Sequence, residues 1–181
     1  MNIKFVFNEK SIRGEFSTLQ MFLSKMQSNK IPYYFPFITT NNEKNRDYIA
    51  RKIKEDMNNL LYKKRCVAAK KEWLKLKNPI INYLSINPII KKHGKLRSKY
   101  VCIMTPYGPQ GYYNPPHTII VSIKLNKISN ILETIMHELI HLILYEYLKR
   151  FSYRKQEKII DNIILKSDLK NIFTKYKSQT I

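Results

Sequence analysis

Residues 137–141 read His137-Glu138-Leu139-Ile140-His141, two imidazoles with a carboxylate beside the first. On a helix each residue turns about 100°, so His137 and His141 fall within about 40° of one another on one face. Imidazoles one turn apart can close on a single tetrahedral Zn²⁺ at about 2.0–2.1 Å. Glu138 projects about 60° from His141, close enough to reach a water at the ion without ligating it. This HExxH spacing points to hydrolysis by a metal-activated water, with the carboxylate as base. The competing reading is a pair of core histidines, each bonded to a carbonyl, which requires two unrelated partners inside an apolar helix.

A catalytic zinc needs a third protein ligand and an open fourth position. No histidine follows His141, and positions 145 and 147 are tyrosines, so the third ligand is a carboxylate or an upstream residue. Glu146 lies about 140° round the helix from His141 and points away. Glu157 is the better candidate because of its own neighbours. Ile160, Asp161, Ile164 and Leu165 share its helical face, while Lys155, Lys158, Asn162 and Lys166 occupy the opposite arc. A carboxylate centred on an apolar face is costly to desolvate unless a cation meets it, and a metal ion fits. Asp161, one turn on, is placed to accept the outer ring N–H of a ligating histidine, which fixes its tautomer and orientation.

Several elements must position these residues. The segment ILETIMHELIHLILYEYL is apolar on almost every side and predicts a buried central helix, capped by Asn130 with Glu133 three residues on. A second helix is expected from Arg154 to Lys166 and a short third one near Leu169 to Tyr176. A strict antiparallel hairpin would set residues beyond Glu157 level with His141, so either the central helix ends before Tyr147 or the two helices cross obliquely. Upstream, IKFVF, YVCIM and HTIIVSIKL read as strands, and TPYGPQGYYNPPH as a loop or hairpin. Phe16 to Met26 reads as a short amphipathic helix, and IPYYFPF as an extended aromatic loop. From Glu43 to Lys77 one long basic helix is predicted, with Ile49, Ile53, Met57, Leu60 and Leu61 on its apolar stripe and Asn78-Pro79 as its stop.

The chain has 181 residues, 44% of them hydrophobic, which is enough for a real core and excludes wholesale disorder. No apolar run is long enough for a membrane span, and the start MNIKFVFNEK is too short an apolar stretch for a signal peptide, so a cytoplasmic location is expected. Cys66 and Cys102 form no CxxC pair and are read as small buried hydrophobes. The net charge is +20, and residues 1–110 carry 22 Lys and Arg against 7 Asp and Glu. Such a surface attracts polyanions, yet Arg is scarce, and a solvated lysine-rich face is the favoured reading over nucleic acid.

HExxH followed by a helix bearing Glu-x-x-x-Asp resembles the gluzincin metallopeptidases, and the short spacing resembles the compact minigluzincins. The likeness covers roughly residues 112–166. It implies His137, His141 and Glu157 as ligands of one catalytic Zn²⁺, Glu138 as general base and Asp161 as the partner of a ligating histidine. It also implies a strand, Thr118 to Lys124, at the rim of the cleft, where an extended peptide adds. Gluzincins tend to use a downstream Tyr or His at the oxyanion, which selects Tyr153, with Tyr113 and His117 as alternatives. Some minigluzincins are self-blocked, so residues 175–181, the N-terminal segment or the 105–117 loop is expected to be able to fill the cleft.

The expected fold is therefore α+β: a small mixed or antiparallel sheet packed on the HExxH helix and the glutamate-bearing helix. Residues 1–98 are expected to form a basic, largely helical region and residues 99–181 the catalytic region, parts of one unit in which the first packs on or regulates the second. The expected partner is a peptide or protein substrate. The alternative is a basic nucleic-acid- or protein-binding module with a structural zinc or a degenerate peptidase site.

Overall fold

A computed structural model describes residues 1–28, 30–35, 44–174 and 176–178. The Pro36-Phe37 end of the aromatic loop, the Glu43 start of the basic helix and residues 179–181 lie outside them. In chain order the elements are β1 (Asn2–Val6), α1 (Glu9–Ser28), β2 (Tyr33–Tyr34), α2 (Lys44–Asn58), α3 (Leu60–Ile86) and α4 (Pro88–His93). There follow β3 (Lys99–Thr105), β4 (Gly108–Pro109), β5 (Gly111–Asn114), β6 (Thr118–Ser122), α5 (Ile128–Ile143), α6 (Tyr145–Leu148), α7 (Tyr153–Leu165) and α8 (Leu169–Ile172). The chain is α+β, as the pattern predicts.

The sheet is mixed, in the order β1-β3-β6-β5. β1 and β6 both run parallel to β3, and β5 pairs antiparallel with β6. β6 is interior, and residues Ile119 to Ser122 are all buried, as expected of a strand covered on both faces. The edge strands are β1 and, next to β6, β5, and the expectation that the Thr118 to Lys124 strand forms the rim is corrected. Tyr112 and Tyr113 pair with Ile120 and Ile119, so β6 has no free edge on that side.

β1 belongs to this sheet although it is remote in sequence. Trp73, Ile80 and Leu84 of α3 join Ile119, Ile135, Leu139 and Ile164 in one hydrophobic cluster, so residues from before and after position 98 share a core. Arg65 donates to the Ile123 carbonyl at 2.6 Å, tying α3 to the end of β6. A second cluster, of Ile12, Met26, Phe35, Ile53 and Tyr107, joins α1 and α2 to the turn after β3.

Several boundaries differ from the sequence pattern, among them that of the short third helix, which ends at Ile172 and not near Tyr176. The first helix starts at Glu9, because the Asn8 carboxamide accepts the Ser11 N–H at 2.9 Å. The long basic helix is two, because the Asn59 side chain accepts the N–H groups of Leu61 and Tyr62 at 2.9 and 3.3 Å and starts a new helix there. Ile53 is buried, while Leu60 and Leu61, beyond that break, are exposed. Pro79 does not stop α3, since Ile80 and Leu84 beyond it are fully buried and their packing outweighs the lost backbone bond. The stop is Asn87-Pro88, where Asn87 caps α4. Finally, α5 begins at Ile128 after Lys127, so Asn130 lies inside the first turn and its carbonyl accepts the Thr134 hydroxyl.

The central helix ends at Ile143, before Tyr147. Its last carbonyl accepts the Lys95 N–H at 2.8 Å. Gly94 permits that approach, because a Cβ there would lie 2.9 Å from Ile143 Cγ2 and 2.6 Å from the Ile90 carbonyl. The short α6 then turns the chain, so α7 returns against α5 with Glu157 level with the two histidines. Among the described residues no helix is long and apolar enough to cross a membrane.

Candidate metal centre

His137, Glu138 and His141 are buried on α5, and Glu157 is buried on α7. Their donor atoms converge. His137 Nε2 lies 3.0 Å from Glu157 Oε2, His141 Nε2 lies 3.1 Å from Glu157 Oε1, and the two Nε2 atoms are 3.2 Å apart. This buried group could hold a metal ion.

The proton inventory explains why a cation fits. The Tyr176 hydroxyl donates its one proton to Asp161 Oδ1 at 2.8 Å. Its oxygen is left to accept from His137 Nδ1, 2.7 Å away. The neutral His137 ring then carries its proton on Nδ1 and a bare lone pair on Nε2, aimed at the lone pairs of Glu157. Such an array is repulsive unless something positive sits in it. Ligands at about 2.0–2.1 Å on a tetrahedral ion stand about 3.3 Å apart. The 3.0–3.2 Å separations approach that without any movement of the backbone.

In the metal-free protein protons supply the positive charge. Desolvation opposes charge on the His137 ring, but hydrogen bonding to Glu157 and the charges of Glu138, Glu157 and Asp161 outweigh it, so its pKa is raised. Desolvation opposes charge on Glu157 too, which by itself would raise its pKa. The hydrogen bonds and charges of His137 and His141 overcome it and lower the value to about 2. Glu138 goes the other way: burial, with repulsion from Glu157, raises its pKa although both histidines pull it down.

Glu138 owes its room to Gly111 of β5. A Cβ at position 111 would lie 2.2 Å from Thr134 Cγ2 and 3.3 Å from Glu138 Oε1, so β5 and α5 approach closely only with glycine there. Two residues on, Tyr113 stacks on His141, with centroids 4.7 Å apart and planes at 16°, and meets Tyr145 edge-on. Burial and the nearby charges of Glu138 and Glu157 push the Tyr113 pKa up to about 12. His141 Nδ1 is buried with no hydrogen-bond partner among the described residues, so this ring contact is what orients it there.

The structure brings His137, Glu138, His141 and Glu157 together and treats the other expected residues differently. Tyr153 opens α7 with 69% of its surface exposed, while desolvation of its phenol and the charges of Glu157 and Glu138 raise its pKa. His117 is exposed in the turn between β5 and β6. Asp161 is buried, but the His137 ring N–H bonds to Tyr176, which stands between His137 and Asp161 and links them. Tyr176 is the residue the pattern missed. Its signal was the spacing of Leu169, Ile172, Phe173 and Tyr176, one apolar face of a short helical pattern. The C-terminal segment thus meets His137 on its Nδ1 side, opposite the Nε2 that faces Glu157.

No protein-family profile matches the chain, and no curated protein or solved structure matches it.

Proposed function

We propose that the protein is a zinc-dependent metallopeptidase of the gluzincin type, with His137, His141 and Glu157 holding the ion. One observation carries this reading: two imidazole nitrogens and one carboxylate converge at 3.0–3.2 Å inside a core, with a second carboxylate, Glu138, one residue from the first ligand. Zinc bound there would polarise the scissile carbonyl and acidify a water. Glu138 takes the proton of the attacking water and delivers it to the leaving amine. Burial raises its pKa, which makes it a stronger base than an exposed carboxylate when it accepts that proton. Tyr113 and Tyr153, both near Glu138 and Glu157, are the candidate donors to the developing oxyanion.

The ligand side chains are only 2–3% exposed, so a peptide carbonyl reaches them only if a covering element moves. Burial of this kind supports a latent enzyme. Of the segments expected to fill the cleft, the 105–117 loop supplies Tyr113 against His141. The second reading, a binding module with a structural ion, draws on the same burial and on the net charge of +20.

Cleavage of a mixed peptide library by native protein and by Glu138→Gln, each assayed for zinc, separates them. The peptidase reading expects both proteins to hold one zinc and, once limited proteolysis or truncation has opened the cleft, only the native one to cut. Equal turnover by the two removes Glu138 from its role, and a loaded native protein that cuts nothing in any opened form favours the structural ion.

A further inference from the structure

We infer that Tyr176 is a positioning residue of the metal centre, and that docking of the C-terminal segment and binding of the ion are thermodynamically coupled. The inference rests on the reading that His137, His141 and Glu157 take a divalent ion. Three contacts carry it. Tyr176 Oη lies 2.7 Å from His137 Nδ1 and 2.8 Å from Asp161 Oδ1, and Ser178 Oγ donates to the other oxygen, Asp161 Oδ2, at 2.6 Å. The Tyr176 ring is 9% exposed, and Phe173 and Leu169 anchor the same segment in the core at 3% and 0%.

The consequence follows from proton placement. While Tyr176 is docked, its hydroxyl oxygen can accept only from Nδ1, so the His137 proton stays there and Nε2 is free to bind an ion. When the segment leaves, the ring loses its only described Nδ1 partner, and both its tautomer and its plane are released. His141 offers no compensation, because its own Nδ1 has no described hydrogen-bond partner. Partners of this kind are worth about 10- to 100-fold in metal affinity. Coupling is reciprocal, so a bound ion must hold the segment down by the factor with which the segment tightens the ion.

The test uses the full-length protein, with zinc alone as the ligand and a chromophoric chelator as competitor. Tyr176→Phe keeps the ring and loses only the hydroxyl, and we expect it to bind zinc about 10- to 100-fold more weakly than native protein. Asp161→Asn retains an acceptor oxygen for the Tyr176 proton and should stay closer to native affinity than Asp161→Leu. A merely structural role would move the melting temperature of the metal-free variants without this ordering of affinities. In a second arm a serine carboxypeptidase, which needs no metal, digests native protein from its C-terminus. Zinc should slow removal of Ser178 and Tyr176 about tenfold or more in native protein and much less in Tyr176→Phe. Native protein that binds zinc no more than twofold better than Tyr176→Phe, or a tail equally digestible with and without zinc, overturns the inference alone. Native protein that binds no zinc overturns the metal reading and the inference with it.

Discussion

Glutamine in place of Glu157 removes one carboxylate charge from the His137, His141 and Glu157 group while keeping the size of a side chain that is 2% exposed. Two costs are expected, and they separate experimentally. In chelated protein the loss is the stability that Glu157 draws from the histidines. Its pKa falls from 4.5 to about 2, which corresponds to about 3 kcal/mol as an upper figure, since the new amide can donate to one imidazole. In zinc the loss is larger. Four-ligand zinc sites bind with about 10–16 kcal/mol, or about 3–4 kcal/mol per ligand, so the variant should bind about 10²- to 10³-fold more weakly. At zinc about 1,000-fold above the native Kd, native protein gains about 4 kcal/mol, and the variant keeps about 0.4–1.4 kcal/mol. For a chain of this length that is a rise in Tm of about 8–16 °C for native protein against about 1–6 °C for Glu157→Gln. Scanning fluorimetry in EDTA and in buffered zinc reads both. Native protein that does not respond to zinc, or a variant that keeps the whole rise, would show that Glu157 is not a ligand.

The close approach of β5 and α5 gives a steric prediction. Gly111→Ala places a Cβ 2.2 Å from Thr134 Cγ2, so the strand must shift, at about 1–3 kcal/mol. Adding Thr134→Ser removes that methyl group and should restore most of the melting temperature; a double variant as unstable as the single one refutes the contact. The two shifted groups, Glu157 and His137, also set a pH window for metal-free protein. Glu157, with its pKa lowered to about 2, contributes stability that is present above 4.5 and lost as pH falls toward 2. His137, with its pKa raised above 6.5, contributes stability that is present below 6.5 and lost as pH rises through the folded value. In EDTA the melting temperature should therefore be highest between about pH 4.5 and 6.5, and zinc should move that maximum upward by displacing the proton. A chelated profile that climbs steadily from pH 5 to pH 9 contradicts the assignment.

The helices of the site were legible because their information is local. Apolar residues on nearly every side mark α5 as buried before any partner is known, and the placing of Glu157 among Ile160, Ile164 and Leu165 marks it as a carboxylate in need of a cation. Elsewhere local signals competed with packing. Pro79 reads as a stop, yet two fully buried residues one and five positions beyond it, Ile80 and Leu84, carry α3 onward. Asn130 reads as a cap, yet three residues before Glu133 was one turn too late, since Ile128 is already helical. Asn59, between two stretches of similar composition, breaks the helix through its own side chain, which no periodicity registers.

Sequence by itself determined the α+β class, the shared face of His137 and His141, and the anomaly of Glu157, because each follows from rotation per residue and the cost of desolvating charge. Only the tertiary structure decided that β5 and not β6 lies at that edge of the sheet, that Tyr113 covers His141, and that Tyr176 stands between His137 and Asp161. Those contacts join residues 28 and 39 positions apart, for Tyr113 with His141 and for His137 with Tyr176. Over such separations the chain carries no geometric constraint of its own, and packing of the core selects the partner.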